Sequence, residues 1–481
     1  MSSSAKKSFL VGAGVFAVAA LATFILFKVA ARPNPSLTAR LGKSPYYADS
    51  VSVAPGTALF FTWGVTPSPR AKALARGEAK TEADRYGDTY AQARALMTQL
   101  TEDLREVGLS LRDVIAVRAN LVAEPELDMD GWNKAFGEFF GNSTNPHKPA
   151  RTTIGISRLF HPDYRAEVEF VAAIPANRGP FAKGSRFERM YDRLHRATTN
   201  DHVRSYGRPT FALSTGKAIE GGSALYFQSA IYPDTMLPNM ATMPLKMRMY
   251  KGDVSAQADM IFKKQVAALK EAGLTTGDPF FSRNILYPDP KNGGRMDFNA
   301  FNKSYGEVYN NPDNPNRLAR TVMSAPGYVT QGQLLTIETY AVYPGDASKR
   351  FIVDGKNVPL VAYRADPKAA VASGVATAPD ARLTFLSGIV APERGNLKAE
   401  AAAVMKIAAE RLAAAGATFD NVAQLRAYVV TGGDLGSLAG WDEAYNAAFS
   451  GTHRPAVTVL PVKALAAGAK LEVELLAATL P

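Results

Sequence analysis

The chain contains no cysteine, which excludes disulfide cross-links, thiolate nucleophiles and cysteine-ligated zinc or iron–sulfur centres. Its five histidines show no metal-ligand spacing, and no glycine-rich phosphate loop stands in strand–turn–helix context, so neither a metal nor a nucleotide cofactor is expected. Low-complexity tracts are missing as well. With 47% hydrophobic and 21% charged residues the chain reads as packed globular protein. An excess of 55 Lys+Arg over 44 Asp+Glu gives a net charge of +11, which suits anionic partners but is too evenly spread to favour nucleic acid. At 481 residues the chain is too long for one core and suits several domains.

One run is uncharged, strongly apolar and free of proline. Phe9 to Phe27 holds 19 residues without a charge, preceded by Lys6 and Lys7 and followed by Lys28. That length predicts a transmembrane helix. Lys28 interrupts the exit, and Val29-Ala30-Ala31 is a poor cleavage site, so the expectation is an uncleaved single-pass anchor and a membrane location. Lys6 and Lys7 on one flank face Lys28, Arg32, Arg40 and Lys43 on the other, which leaves the side of the membrane open.

Against these absences stands a threefold repetition. The chain reads W-N-K-A-F-G-E-F-F from Trp132, F-N-K-S-Y-G-E-V-Y from Phe301 and W-D-E-A-Y-N-A-A-F from Trp441. Self-similarity at so long a period marks a duplicated unit. Upstream of each lies a short apolar strand (Ala58–Gly64, Ala224–Ala230, Arg382–Gly388), then an apolar stripe of helical period ending at Gly108, Gly273 or Gly416, then a strand. The predicted unit is strand, strand, helix, strand, strand, helix, strand, strand, an α+β layer. The copies are placed at 44–176, 206–344 and 358–481, with an anchor and linker at 1–43, a basic linker at 177–205 and a linker at 345–357. The basic linker and a loop carrying Met236, Met240, Met243, Met247 and Met249 are candidate protein-contact surfaces. In that loop Pro238 and Pro244 forbid a continuous helix, which favours packing against a neighbouring copy over soft-metal binding.

After the first aromatic helix comes K-P-A-R-T-T-I, with Arg151, and then A-E-V-E-F-V-A-A-I-P, with Glu167 and Glu169. This pattern resembles the Rid family, the reactive-intermediate deaminases also called L-PSP endoribonucleases, and the resemblance extends in strand order and helix phase to all three copies. It implies a chorismate-mutase-like fold that family members assemble as trimers with ligand clefts between subunits, and hence an intramolecular pseudo-trimer here. It also implies that Arg151 grips the carboxylate of an enamine or imine acid, that Glu167 serves the hydrolytic water, and that Gly64 lets substrate approach backbone. Trp63, at a small-residue position, argues for a reshaped pocket. The second copy keeps Arg320 but has Thr336 and Ala230 where Glu167 and Gly64 stand. The third keeps Glu472 and Gly388 but has Val457 in place of the arginine.

Counted copy by copy, only the first retains an arginine with a glutamate. That count favours a structural or partner-binding subunit of a membrane assembly. The alternative is an enamine or imine deaminase, a hydrolase, working on small carboxylate ligands at one cleft. Arg118, Arg283 and Arg426 each fall ten residues after the helix-ending glycine, so a threefold arrangement would gather them into a candidate ring for an anion or for a partner's carboxylates.

Overall fold

The computed structural model describes residues 34–45, 47–67, 86–159, 161–175, 202–206, 216–243, 247–326, 332–363, 372, 374–430, 438–451 and 453–481. The expected anchor at Phe9–Phe27 and most of the basic linker lie outside these residues. Among the described ones, no helix is long and apolar enough to cross a membrane.

The first copy runs β1 (Leu37–Arg40), β2 (Ser50–Val53), β3 (Ala58–Thr62), α1 (Thr89–Glu106), β4 (Val114–Val122), α2 (Met129–Gly137), β5 (Ala150–Ile156) and β6 (Ala166–Ile174). The second repeats this order as β7 (Val203–Tyr206), β8 (Gly216–Ile219), β9 (Leu225–Gln228), α3 (Val254–Glu271), β10 (Pro279–Leu286), α4 (Phe298–Val308), β11 (Ala319–Ser324) and β12 (Leu335–Val342). A small ribbon of β13 (Ile352–Val353) and β14 (Lys356–Asn357) follows. The third copy is β15 (Leu360–Tyr363), β16 (Gly374–Thr377), β17 (Arg382–Val390), α5 (Leu397–Ala414), β18 (Val422–Val430), α6 (Ala439–Ala448), β19 (Ala456–Val462), β20 (Ala464–Leu465) and β21 (Leu471–Thr479). Three strands therefore precede the long helix, and among the described residues a single strand joins the two helices. In the first two copies the further strand expected there is replaced by proline-bearing turns, at Pro125 and at Pro288 to Pro290, because proline has no N–H to give a ladder.

Local chemistry sets the helices. Asp88, Asp253 and Asn396 cap the three long ones, accepting from the N–H groups of Ala91, Ala256 and Ala399. Gly108, Gly273 and Gly416 end them with φ of +79°, +74° and +76°, a backbone state that suits glycine, as the next residue's N–H bonds back to Leu104, Leu269 or Leu412. The stripe of Ala93, Leu96, Met97, Leu100 and Leu104 is buried against the first copy's sheet, with Trp132 and Phe136 of α2 beside it.

The sheets are not built copy by copy. β5-β4-β6-β3 continues into β8-β7 of the second copy, β11-β10-β12-β9 into β16-β15 of the third, and β19-β18-β21-β17 into β2-β1 of the first. Phe60 pairs with Ala218, Phe227 with Val375, and Phe385 with Val51. Each opening hairpin thus covers the early strand of another copy, and the exchange runs in a closed circle that leaves none of these edges unpaired. Boundaries at 205/206 and 357/358 divide the sequence but not the sheets. The helices lie outside, while the inner faces of all three sheets share one apolar cluster containing Phe61, Phe281 and Phe385 and another containing Ile156, Ile285 and Leu460.

Candidate functional site

Each copy carries one extra residue where its early strand passes its closing strand. Phe61 and Val65 oppose Val171 and Val168, Phe227 and Ile231 oppose Tyr340 and Ile337, and Leu386 and Ile389 oppose Leu475 and Val473. Such a bulge re-aims the residues it holds. It holds Trp63-Gly64, Ser229-Ala230 and Ser387-Gly388, and it turns each pair toward the strand that follows the aromatic helix in a different copy. The Gly64 N–H donates to the Arg320 carbonyl at 3.3 Å and the Ala230 N–H to the Val457 carbonyl at 3.1 Å. The Arg151 N–H donates to Ser387 Oγ at 2.8 Å.

The arginines and glutamates consequently combine across copies. Arg151 and Glu167, the pair drawn from the first copy's sequence, lie on β5 and β6 with β4 between them. Arg151 pairs with Val117 and Glu167 with Asn120, three residues apart, so their side chains point to opposite faces of the sheet. Arg151 acts instead on Glu472 of the third copy, and Glu167 acts on Arg320 of the second. Two of the three inter-copy clefts therefore hold an arginine with a glutamate: Arg151, Glu472, Ser387 and Gly388 in one, Arg320, Glu167, Trp63 and Gly64 in the other. The third holds neither charge: the Val457 N–H donates to Ser229 Oγ at 2.8 Å, the Val457 carbonyl accepts from Ala230, and Thr336 stands at the glutamate's position on the closing strand.

The two charged clefts share their electrostatics. Burial pushes Glu167 up to about 8, aided by the neighbouring Glu169, against opposing pulls from Asn120, Arg283 and the Val322 backbone N–H. Glu472 is likewise pushed up to about 8 by burial and by Glu474, opposed by Arg151 and the Thr153 backbone N–H. Burial thus favours the protonated acid of each glutamate. The glycines give it room: a Cβ on Gly64 would stand 2.2 Å from Glu167 Oε1, and one on Gly388 would stand 1.7 Å from Glu472 Oε1. In the third cleft, alanine replaces glycine where the shorter threonine replaces glutamate.

The aromatic helices form the arginine boxes. The Arg151 guanidinium lies 4.9 Å from the Phe136 ring and 4.6 Å from the Tyr47 ring. That of Arg320 lies 4.5 Å from Tyr305 and 5.3 Å from Phe301. Arg320 is 6% exposed, its Nε has no hydrogen-bond partner among the described residues, and burial lowers its pKa. A buried guanidinium so placed favours an anion beside it. Ser387 and Tyr47 stood out by no pattern in the sequence. Arg454, three residues before Val457, does not replace the missing arginine, because its Nη1 donates to the carbonyls of Gly451 and His453 just beyond α6.

Arg118, Arg283 and Arg426 do gather on the inner face, and their carboxylates are supplied by the chain. On adjacent strands Arg118 opposes Glu169, Arg283 opposes Glu338, and Arg426 opposes Glu474. Arg118 also donates to Glu474 at 2.7 Å, Arg283 to Glu169, and Arg426 to Glu338 at 2.9 Å and to Glu474 at 2.5 Å. Three cations and three anions alternate in a closed ring, each 7% exposed or less. Thr321 and Thr458 donate to Glu169 and Glu338 at 2.6 and 2.5 Å. Burial alone would depress Arg118, but Glu474 and Glu169 hold it above the usual arginine range, and Arg118 and Arg426 outweigh burial to hold Glu474 far below the usual carboxylate range. The signal for the anionic half was present in sequence: the second glutamate of the closing strand occurs in every copy, whereas the first does not.

The family model described as endoribonuclease L-PSP matches residues 74–174 and 368–479, within the first and third copies. Solved structures of single-unit length are similar to about a fifth of the chain. A member of the YjgF/YER057c/UK114 family from Mycobacterium tuberculosis is 25% identical over 21% of this chain and 84% of its own, with a TM-score of 0.19. RidA from an Antarctic Psychrobacter is 23% identical over 20% and 80%, and TdcF of E. coli, solved with bound serine, is 20% identical over 20% and 80%, both with a TM-score of 0.19.

Proposed function

Because the chain belongs to the endoribonuclease L-PSP, or Rid, family, we propose that it is a membrane-anchored, single-chain counterpart of a family trimer that hydrolyses small 2-enamino and 2-imino acids to 2-oxo acids and ammonia. Arg151 facing Glu472, and Arg320 facing Glu167, carries this reading. Two clefts have a cation for the substrate carboxylate and a protonated acid beside it. The glutamate proton goes to the enamine carbon, giving the iminium. The resulting carboxylate takes a proton from the water that attacks C2, and the carbinolamine collapses with its hydroxyl proton passing to the departing ammonia. Water is consumed and no redox partner is needed.

A second reading, a scaffold for a membrane assembly, draws on the uncharged third cleft and on the exposed side chains of Met236, Leu237 and Met247. The full chain in detergent, offered 2-aminoacrylate generated in situ, separates the two. The enzyme reading expects turnover that falls at least about a hundredfold in the Arg151→Ala, Arg320→Ala double variant, the size of losing a carboxylate grip of about 3 kcal/mol. An inactive parent chain would leave the scaffold.

A further inference from the structure

Resting on the carboxylate-binding reading above, we propose that Asn302 is a positioning residue that aims the Arg320 fork into its cleft. Asn302 Oδ1, on α4, accepts from Arg320 Nη2 at 2.8 Å. With Phe301 and Tyr305 at its face and Asn302 holding one nitrogen, Arg320 keeps Nε without a partner among the described residues. The fork is thus fixed in direction while part of its donor set stays available to a ligand.

The residue type matters. An amide oxygen orients a guanidinium without cancelling its charge, whereas a carboxylate would itself become the counter-ion and displace the ligand's carboxylate. The three aromatic helices follow this logic position by position. Trp132-Asn133 and Phe301-Asn302 occur in the copies that bear Arg151 and Arg320, and Trp441-Asp442 occurs in the copy whose arginine position is Val457. Asn133 Oδ1 is buried and has no hydrogen-bond partner among the described residues, so only the second cleft shows the bond to arginine. Asp442 meets no arginine of its own copy's β19 and lies within the field of Arg248 from the second copy.

The test uses the full chain with Arg151→Ala, so that only the Arg320 cleft binds, and compares it with added Asn302→Ala or Asn302→Asp. Pyruvate binding is measured by titration calorimetry and 2-aminoacrylate turnover by ammonia release. Asn302→Ala is expected to weaken pyruvate and raise KM about tenfold, the worth of one charge-assisted hydrogen bond, with kcat little changed. Asn302→Asp is expected to weaken pyruvate further although it restores an acceptor. Unchanged pyruvate affinity in Asn302→Ala, or tighter binding in Asn302→Asp than in Asn302→Ala, overturns the positioning role, and so does a lowered Tm with KM unmoved. Pyruvate binding without turnover would overturn the hydrolase and leave Asn302 judged by affinity alone. A parent chain that binds no pyruvate overturns both.

Discussion

The charged ring on the inner face and the charged clefts between copies are built from neighbouring positions on the same strands, yet three copies have kept the first and only two clefts the second. Glu167 and Glu169 are two residues apart. Glu169 bonds the guanidinium groups of two copies, as do Glu338 and Glu474, so loss of any one leaves buried guanidinium groups in two copies short of a counter-ion. A cleft pair involves one arginine and one glutamate only. In the third cleft, which has no such glutamate, arginine or glycine, the threonine is held locally: the hydroxyls of Tyr287 and Thr336 lie 3.2 Å apart, and Gln333 donates to Thr336 at 3.0 Å. Coupled charges resist drift, and independent ones permit it.

That contrast is open to measurement. Arg283→Met should be the most damaging change, because Glu169 and Glu338 then face each other across a dry interface. A loss of about 3–5 kcal/mol in chemical denaturation is expected, and a loss below about 1 kcal/mol would break the distinction between ring and cleft. Gly388→Ala should come next, costing about 1–3 kcal/mol and silencing the Arg151 cleft as the new methyl forces Glu472 aside. Its counterpart Ala230→Gly, beside Thr336, should cost less than about 1 kcal/mol.

The pH responses of ring and cleft should have opposite sign. Glu167 and Glu472 are raised to about 8 in the fold, from 4.5. Between those values the folded state binds more protons than the unfolded one, so their contribution is complete below pH 4.5 and is lost as pH rises through 8. Glu474 is lowered, so its contribution is present above pH 4.5 and fades as pH falls below it. Turnover should accordingly fall as pH rises through about 8, and Glu167→Gln with Glu472→Gln should remove the stability slope between 4.5 and 8 while leaving the acid limb. The smallest effect belongs to the exposed Arg94–Glu138 pair. Arg94→Ala should change stability by less than about 1 kcal/mol.

Much of the fold was legible because its signals are local. Gly108, Gly273 and Gly416 announce helix ends through a backbone angle that side chains resist, and the stripe from Ala93 to Leu104 announces a buried face. The site was legible in its residue types but not in its pairing. Arg151 and Glu167 are 16 positions apart in one copy, and nearness in sequence made them look like partners. β4 separates them, and opposite parity on the strands sends them to opposite faces. Trp63 and Ser387 occupy equivalent bulge positions, but nothing in their spacing shows that the first belongs with Arg320 and the second with Arg151.

By itself the amino-acid sequence determined three copies of an α+β unit, their helix limits, the family that the first and third copies match and the arginines and glutamates that recur among them. These follow from period, capping and side-chain chemistry, all of which act over a few residues. Which hairpin completes which sheet, which glutamate meets which arginine, and how six buried charges close into a neutral ring were decided by tertiary structure. Those contacts join residues as far apart as Arg118 and Glu474, and only the closed circle of exchanged strands brings them together.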